Sequence, residues 1–123
     1  MVVNRRGLVV RTVGDVAVVY FTDSKLVDEM QIKWLGTELY ELVDRKGNSR
    51  IVVNFQDVQR VSTALLGKLV GLQKKTAEAK GNVRLCCVPS SVRDIFSVTG
   101  LDTAFEIHGD EQAAIQSFDR NSR

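Results

Sequence analysis

Ile51-Val52-Val53-Asn54-Phe55, then Gln56-Asp57-Val58-Gln59-Arg60-Val61, then Ser62-Thr63-Ala64-Leu65-Leu66-Gly67, is the stretch on which the fold turns. Its first three residues are an unbroken apolar run, as expected of a strand covered on both faces or set deep in a sheet. The period then changes. Leu65, Leu66, Leu69, Leu72 and Ala77 recur on one face of a helix expected from about Ala64 to Lys80, with Lys68, Lys74, Lys75 and Glu78 facing outward. Gly81-Asn82 stops it. A buried strand that leads through a polar loop into an amphipathic helix is the first half of a βαβ unit.

Upstream, the β-branched runs Leu8–Val13 and Val16–Phe21 flank Gly14-Asp15, a two-residue hairpin signal. Ile32, Leu35, Leu39, Leu42 and Val43 then form a helical stripe. Asp28 and Glu29 suit its first turn, Arg45 and Lys46 its last, and Gly47 the position beyond its end. Downstream, Val83 to Val88 reads as another buried strand. Pro89 introduces a short helix with Val92, Ile95 and Phe96 on one face and Gly100 after its end. Phe105 to His108 reads as a short edge strand, and a last helix from roughly Asp110 to Phe118 turns Ala114, Ile115 and Phe118 inward. The chain is expected to fray from about residue 120. The order β-β-α-β-α-β-α-β-α predicts an α/β fold: a mixed, mostly parallel sheet with about four helices and right-handed crossovers. No repeat, linker or composition break divides the 123 residues, so a single domain over 1–123 is expected.

Charge and composition narrow the function. Seventeen basic residues against 15 acidic give a net charge of +2, too balanced to imply nucleic acid or an anionic membrane as partner. The longest apolar run falls far short of a membrane span, and the residues from Met1 to Arg6 lack the apolar segment of a signal peptide. A cytoplasmic protein is expected. Cys86 and Cys87 are adjacent, read as two small hydrophobes on opposite faces of a strand in a reducing compartment. His108 is the single histidine, so a zinc site of usual composition is not assembled, and a Ser-His or Cys-His pair would arise only by spatial accident. Gly67 and Gly71 lie inside a helix, not between a strand and a helix, so they form no phosphate loop; they predict a smooth face on which the helix approaches the sheet. No catalytic residue, metal or cofactor is assigned. Trp34 lies about half a turn off the Ile32-Leu35-Leu39 stripe and is expected to be partly exposed, open to a partner or self-association contact.

Ser62 and Thr63 are the one place where chemistry gathers. Either hydroxyl suits the cap of the following helix, where it would satisfy an orphan N–H for about 1 kcal/mol. Equally, a hydroxyl displayed at a helix N-terminus can carry a negative charge, which the dipole favours. Both readings hold if one hydroxyl caps and its neighbour is exposed.

At this segment the chain resembles the STAS domain family, the anti-anti-sigma factors of bacterial partner-switching systems, over about Val16 to Phe118. In that family a strand patterned I-V-L-N-L-x-x-L is followed by D-S-S-G-L-G at a helix start; here Ile51 to Val58 is followed by Ser62-Thr63-Ala64-Leu65-Leu66-Gly67. Lys80-Gly81-Asn82-Val83-Arg84-Leu85-Cys86 is similar to the family's G-G-x-(apolar) strand, and Val92 to Leu101 to its V-x-x-L-F-x-x-x-G-L helix. The resemblance implies a compact domain that binds a serine-kinase anti-sigma factor, or a related kinase, when unphosphorylated and releases it when phosphorylated. Carried over by position, the phosphoacceptor serine falls on Thr63 and the preceding aspartate on Ser62, which is the alternative acceptor. The family's next serine falls on Ala64, and its first glycine on Leu65, which puts bulk where the family has none. The G-x-L-D loop falls on Lys25-Leu26-Val27-Asp28. Asp28, Val61, Ser62, Thr63, Ala64 and Leu65 are therefore the expected partner-binding residues of an anti-sigma factor antagonist that is monomeric or weakly dimeric. A scaffold or small-ligand module without a phosphorylation switch is the second reading.

Overall fold

In the computed structural model, which describes residues 2–121 and the side chains of residues 2–118, Ile51, Val52 and Val53 are fully buried. Their strand is the centre of the molecule. The hairpins come first: β1 (Val2–Arg5), β2 (Leu8–Val13) and β3 (Val16–Phe21). A two-residue strand, β4 (Lys25–Leu26), leads into α1 (Glu29–Asp44). The central strand β5 (Arg50–Asn54) is followed by a second two-residue strand, β6 (Arg60–Val61), and by α2 (Thr63–Glu78). Then come β7 (Asn82–Cys86), α3 (Ser90–Thr99), a 3-10 turn at Leu101–Thr103, β8 (Glu106–His108) and α4 (Glu111–Asn121). The expected frayed end is helical as far as Asn121; residues 122 and 123 lie outside the described residues.

Six strands make one sheet in the order β1-β2-β3-β5-β7-β8. The β1-β2 and β2-β3 pairs are antiparallel, and β3-β5, β5-β7 and β7-β8 are parallel. The mixed, mostly parallel sheet and the four helices are those the periodicities predict. Gly14, at φ +60°, turns the β2-β3 hairpin with Val13 opposite Val16. Strand β1 is an addition: Arg6-Gly7 turns it onto β2, and its mostly exposed residues carry no strand periodicity.

The period of two sorts β5 between two cores. Ile51 and Val53 join the cluster under α1, α2 and α3, with Leu35, Leu39, Leu65, Leu69 and Phe96 among its members. Val52 joins the smaller cluster under α4, with Val16, Val18, Ala114 and Phe118. Each buried Leu, Ile or Phe side chain stabilises the fold by about 1.5–3 kcal/mol, so a continuous apolar run is what a strand covered on both faces requires.

Several expectations change at the level of contact. On α2 the inward residue of the last turn is Thr76, whose hydroxyl donates to the Gln73 carbonyl; Ala77 is exposed. Gly71 serves a helix pair and not the sheet: a Cβ there would lie 2.2 Å from Tyr40 Oη on α1, which donates to the Lys68 carbonyl at 3.0 Å. Nothing lies within 4 Å of a Cβ on Gly67. Beyond the end of α2, Lys80 stands in the left-handed region (φ 64°), while Gly81 has room for no side chain because a Cβ would meet the Ser49 carbonyl oxygen at 1.7 Å. Cys87 leaves the strand at φ 58° and packs on the same cluster as Cys86, so the two do not lie on opposite faces.

These contacts give opposite signs to two glycine substitutions. Gly81→Ala drives a methyl into backbone and is expected to lower stability by about 3 kcal/mol. Gly67→Ala enters open space in a helix and is expected to raise it by about 0.5–1 kcal/mol. Urea denaturation of both proteins checks the pair, and equal shifts would contradict the geometry.

Candidate functional site

The segment after β5 is held by its apolar residues and displays its polar ones. Phe55, Val58 and Val61 are buried, whereas Gln56, Asp57, Gln59 and Arg60 are exposed. The loop starts from a fixed point, because Asn54 accepts from the Gln56 N–H through Oδ1 and donates to Glu111 Oε1 at 3.0 Å through Nδ2. Glu111 also accepts from Arg11 and from the Tyr20 hydroxyl. Burial first, then the bond to Glu111, pushes the Tyr20 phenol up, so it stays a neutral donor to that carboxylate.

Strands β4 and β6 pair in parallel, Lys25 beside Arg60 and Leu26 beside Val61. The Gln59 N–H donates to the Ser24 carbonyl at 2.7 Å, and the Ser62 N–H to the Leu26 carbonyl at 3.0 Å. This short ladder sets the loop before α1 against the start of α2. It brings Asp28 to the same end of the molecule as Ser62, Thr63 and Ala64. Asp28 is exposed and caps α1, its Oδ2 accepting from the Gln31 N–H at 3.0 Å.

The residues at the start of α2 divide sharply. Thr63 is its first residue and is exposed, as is Ala64. Ser62 has the extended backbone of an N-cap (φ −97°, ψ 162°), yet its side chain makes no capping bond. Its Oγ is shut off from solvent and has no hydrogen-bond partner among the described residues. The expected hydroxyl cap is therefore not made. Leu65 and Val61, expected on a partner-facing rim, are core side chains, Leu65 with no exposed surface at all. The bulk that Leu65 adds goes inward, because its Cβ follows the apolar stripe of α2 toward the sheet.

Trp34 joins this end of the molecule, which its spacing alone did not reveal. It is 36% exposed and lines an open cleft of about 540 Å3 with Lys25, Val27, Asp28 and Gln31. The Arg6 guanidinium lies 3.3 Å above its ring centroid, an aromatic-cation stack that fixes the indole. The register also sets His108 beside Cys86 on the neighbouring strand. His108 Nε2 lies 2.7 Å from Glu106 Oε1, and burial first, then Cys87, pushes the Cys86 thiol well above its usual range. A buried, protonated thiol is a structural hydrophobe and not a nucleophile. Among the described residues, no group of three or more His, Cys, Asp and Glu side chains could hold a metal ion, and no helix is long and apolar enough to cross a membrane.

A mixed sheet with three helices on one face and one on the other, and a hydroxyl displayed where the central strand's loop enters a helix, is the arrangement of a STAS domain. The chain belongs to that family: the model of the STAS domain matches residues 2–114. It is 27% identical over 93 residues to BtrV of Bordetella bronchiseptica, which is named for an assigned role as anti-sigma factor antagonist; the match covers 76% of this chain and 79% of that one. Among solved structures, an anti-sigma-factor antagonist (STAS) domain protein from Planctomyces limnophilus superposes with a TM-score of 0.79 at 17% identity, covering 91% of this chain and 97% of that one. The cell fate determinant SpoIIAA of Bacillus in its phosphorylated form superposes with a TM-score of 0.69 at 16% identity, over 89% and 97% of the two chains. The two structures share the fold.

Two caps differ in what their loss removes. Asp28→Ala deletes a made capping bond and is expected to cost about 1 kcal/mol. Ser62→Ala deletes an unpartnered hydroxyl and is expected to leave stability unchanged or slightly raised. Thermal and urea unfolding of the two variants checks the contrast. A loss for Ser62→Ala as large as that for Asp28→Ala would mean that the Ser62 hydroxyl is bonded after all.

Proposed function

We propose that this protein is an anti-sigma factor antagonist that works by phosphorylation-dependent partner switching, with Thr63 as the phosphoacceptor. The observation that carries this reading is the division between the two adjacent hydroxyls: Thr63 is exposed on the first turn of α2, whereas the Ser62 Oγ is shut off from solvent. A kinase can reach one without unfolding anything. Ser62, the alternative acceptor, would have to leave its packing first.

The partner is a protein, a serine-kinase anti-sigma factor or a related kinase, and its contact surface is the rim of Asp28, Ser62, Thr63 and Ala64. Val61 and Leu65 support that rim from below. The unphosphorylated rim is nearly neutral apart from Asp28. A phosphate on Thr63 adds close to two negative charges beside the Asp28 carboxylate and opposes a docked partner by repulsion and desolvation. The same phosphate faces the free N–H groups of a helix start, where the dipole favours it, so the domain itself tolerates the modification. The role is one of binding and not of catalysis, and BtrV, named as an antagonist over most of the same length, supports it.

Incubation with the cognate kinase and ATP followed by mass spectrometry is expected to place one phosphate on Thr63 and none on Ser62. Thr63→Glu is expected to weaken partner binding at least tenfold with an unchanged circular dichroism spectrum. Unaltered binding by Thr63→Glu, together with no phosphate from a kinase active on a control substrate, would favour the scaffold reading instead.

A further inference from the structure

Three exposed apolar side chains gather at the start of α1. Val27 is 45% exposed, Met30 55% and Trp34 36%. Met30 and Trp34 are four residues apart and so neighbours on the outer face of the helix, and Val27 precedes its cap, Asp28. The core does not require them, because Ile32, Leu35, Leu39 and Leu42 already supply the buried stripe of α1.

The surroundings of this patch are held in place before any partner arrives. Gln31 Nε2 donates to Asp23 Oδ2 at 3.0 Å and to the Lys25 carbonyl at 3.1 Å, which ties the loop before α1 to the helix. In the β1-β2 turn, Gly7 at φ +78° lies so close to α1 that a Cβ would stand 2.8 Å from Leu35 Cδ2. That approach sets Arg6 over the Trp34 ring. With the indole stacked, little side-chain freedom remains to be lost on binding. Tryptophan, methionine and arginine are also the residue types enriched in protein interfaces, and Asp23, Lys25 and Asp28 supply a polar edge around them.

Size and position decide the occupant. Three part-exposed side chains fall well short of the roughly 800 Å2 that each partner covers in a stable complex, so the patch does not hold a second copy by itself. The cleft beside it is open, so a small molecule there would stay largely in water. Asp28, however, lines this cleft and also belongs to the proposed rim, and Trp34 stands six residues further on, about 9 Å along the helix axis. A protein seated on the rim covers both in one footprint. From this continuity we infer that Val27, Met30 and Trp34 form an apolar anchor that receives an apolar side chain of the protein docked on the Asp28–Thr63 rim. The inference rests on the partner-switching reading and adds to it a contact surface on α1, apart from the phosphoacceptor.

Trp34 is the single tryptophan of the chain, so 5-fluorotryptophan labels it alone. On titration with the cognate kinase, its 19F resonance is expected to move or broaden saturably, with the midpoint that calorimetry gives for binding. Met30→Gln, at a residue more than half exposed, is expected to weaken binding about threefold and Trp34→Ala about tenfold, each with an unchanged circular dichroism spectrum. A still resonance and full affinity in both variants, with binding weakened by Thr63→Glu, would overturn the anchor and leave the switch standing. Weakening by Met30→Gln with none by Thr63→Glu would keep the anchor and remove the switch. A resonance that moves with the concentration of the protein alone, and no further when kinase is added, would give the patch to a second copy and overturn the assignment. No binding of the unmodified protein would remove both.

Discussion

Burial of β5 on both faces is the constraint from which the other features follow. Ile51 and Val53 belong to one core and Val52 to the other, so a slip of one residue would exchange every side chain between two differently shaped environments. Asn54 makes the register more exacting still. It is a polar residue only 4% exposed on the α4 side, and it is satisfied there by the Gln56 N–H and by Glu111. Moving it would strand a buried amide, at a cost of about 1–3 kcal/mol. With β5 fixed, the point where the chain leaves the sheet is fixed as well, and with it the place where Ser62 and Thr63 emerge.

Anchoring and display are assigned to different residues along the loop that follows. Phe55 packs between Phe21 and Phe96, and Phe96 in turn meets Phe105 edge-on, so the loop begins on a row of aromatic rings. Val58, Val61, Leu65 and Leu66 continue the anchoring as buried residues. The Ser91 hydroxyl holds the Gln59 carbonyl from α3. A two-rung ladder such as β4-β6 is weak alone, but Leu26 and Val61 are its paired residues and both are buried, so core packing holds it. The exposed residues Gln56, Asp57, Gln59, Arg60, Thr63 and Ala64 take no part in that packing, so a change at Thr63 leaves the core as it was.

The two ends of the parallel strands differ in electrostatic character. At the end where β5 leads to α2, free N–H groups of a helix start face outward, and the side-chain cap that would close them is missing. At the other end the charges are on side chains, Arg50 paired with Asp15 and Arg84 with Glu106, and Arg84 is held in place by Ser117 and Phe118 of α4. Helix α4 thus touches both ends: Glu111 fixes Asn54 at one, and Ser117 with Phe118 fixes Arg84 at the other.

Much of this was legible along the chain. The period of two in Val16–Phe21, the apolar run at Ile51 and the stripes from Ile32 to Leu42 and from Leu65 to Leu72 are local patterns, and they determined the element order, the mixed sheet and the position of Ser62-Thr63 at a helix start. Strand β1 and the β4-β6 ladder were not legible, because four mostly exposed residues or two alone carry no period. Nor was the direction of a single side chain beside a helix end. Ser62 and Thr63 are equivalent as cap candidates in sequence, yet the Ser62 hydroxyl is enclosed and Thr63 is an exposed residue. Leu65 reads as bulk at a rim and is a core residue. Trp34 gains its neighbour Arg6, and Arg84 its companions Arg50 and Lys80, only when distant segments are brought together. The sequence by itself determined which elements form, since hydrophobic period is a property of neighbours in the chain. Only the tertiary structure decided which hydroxyl is enclosed and which charges share a cleft, since both depend on packing between segments that the chain keeps far apart.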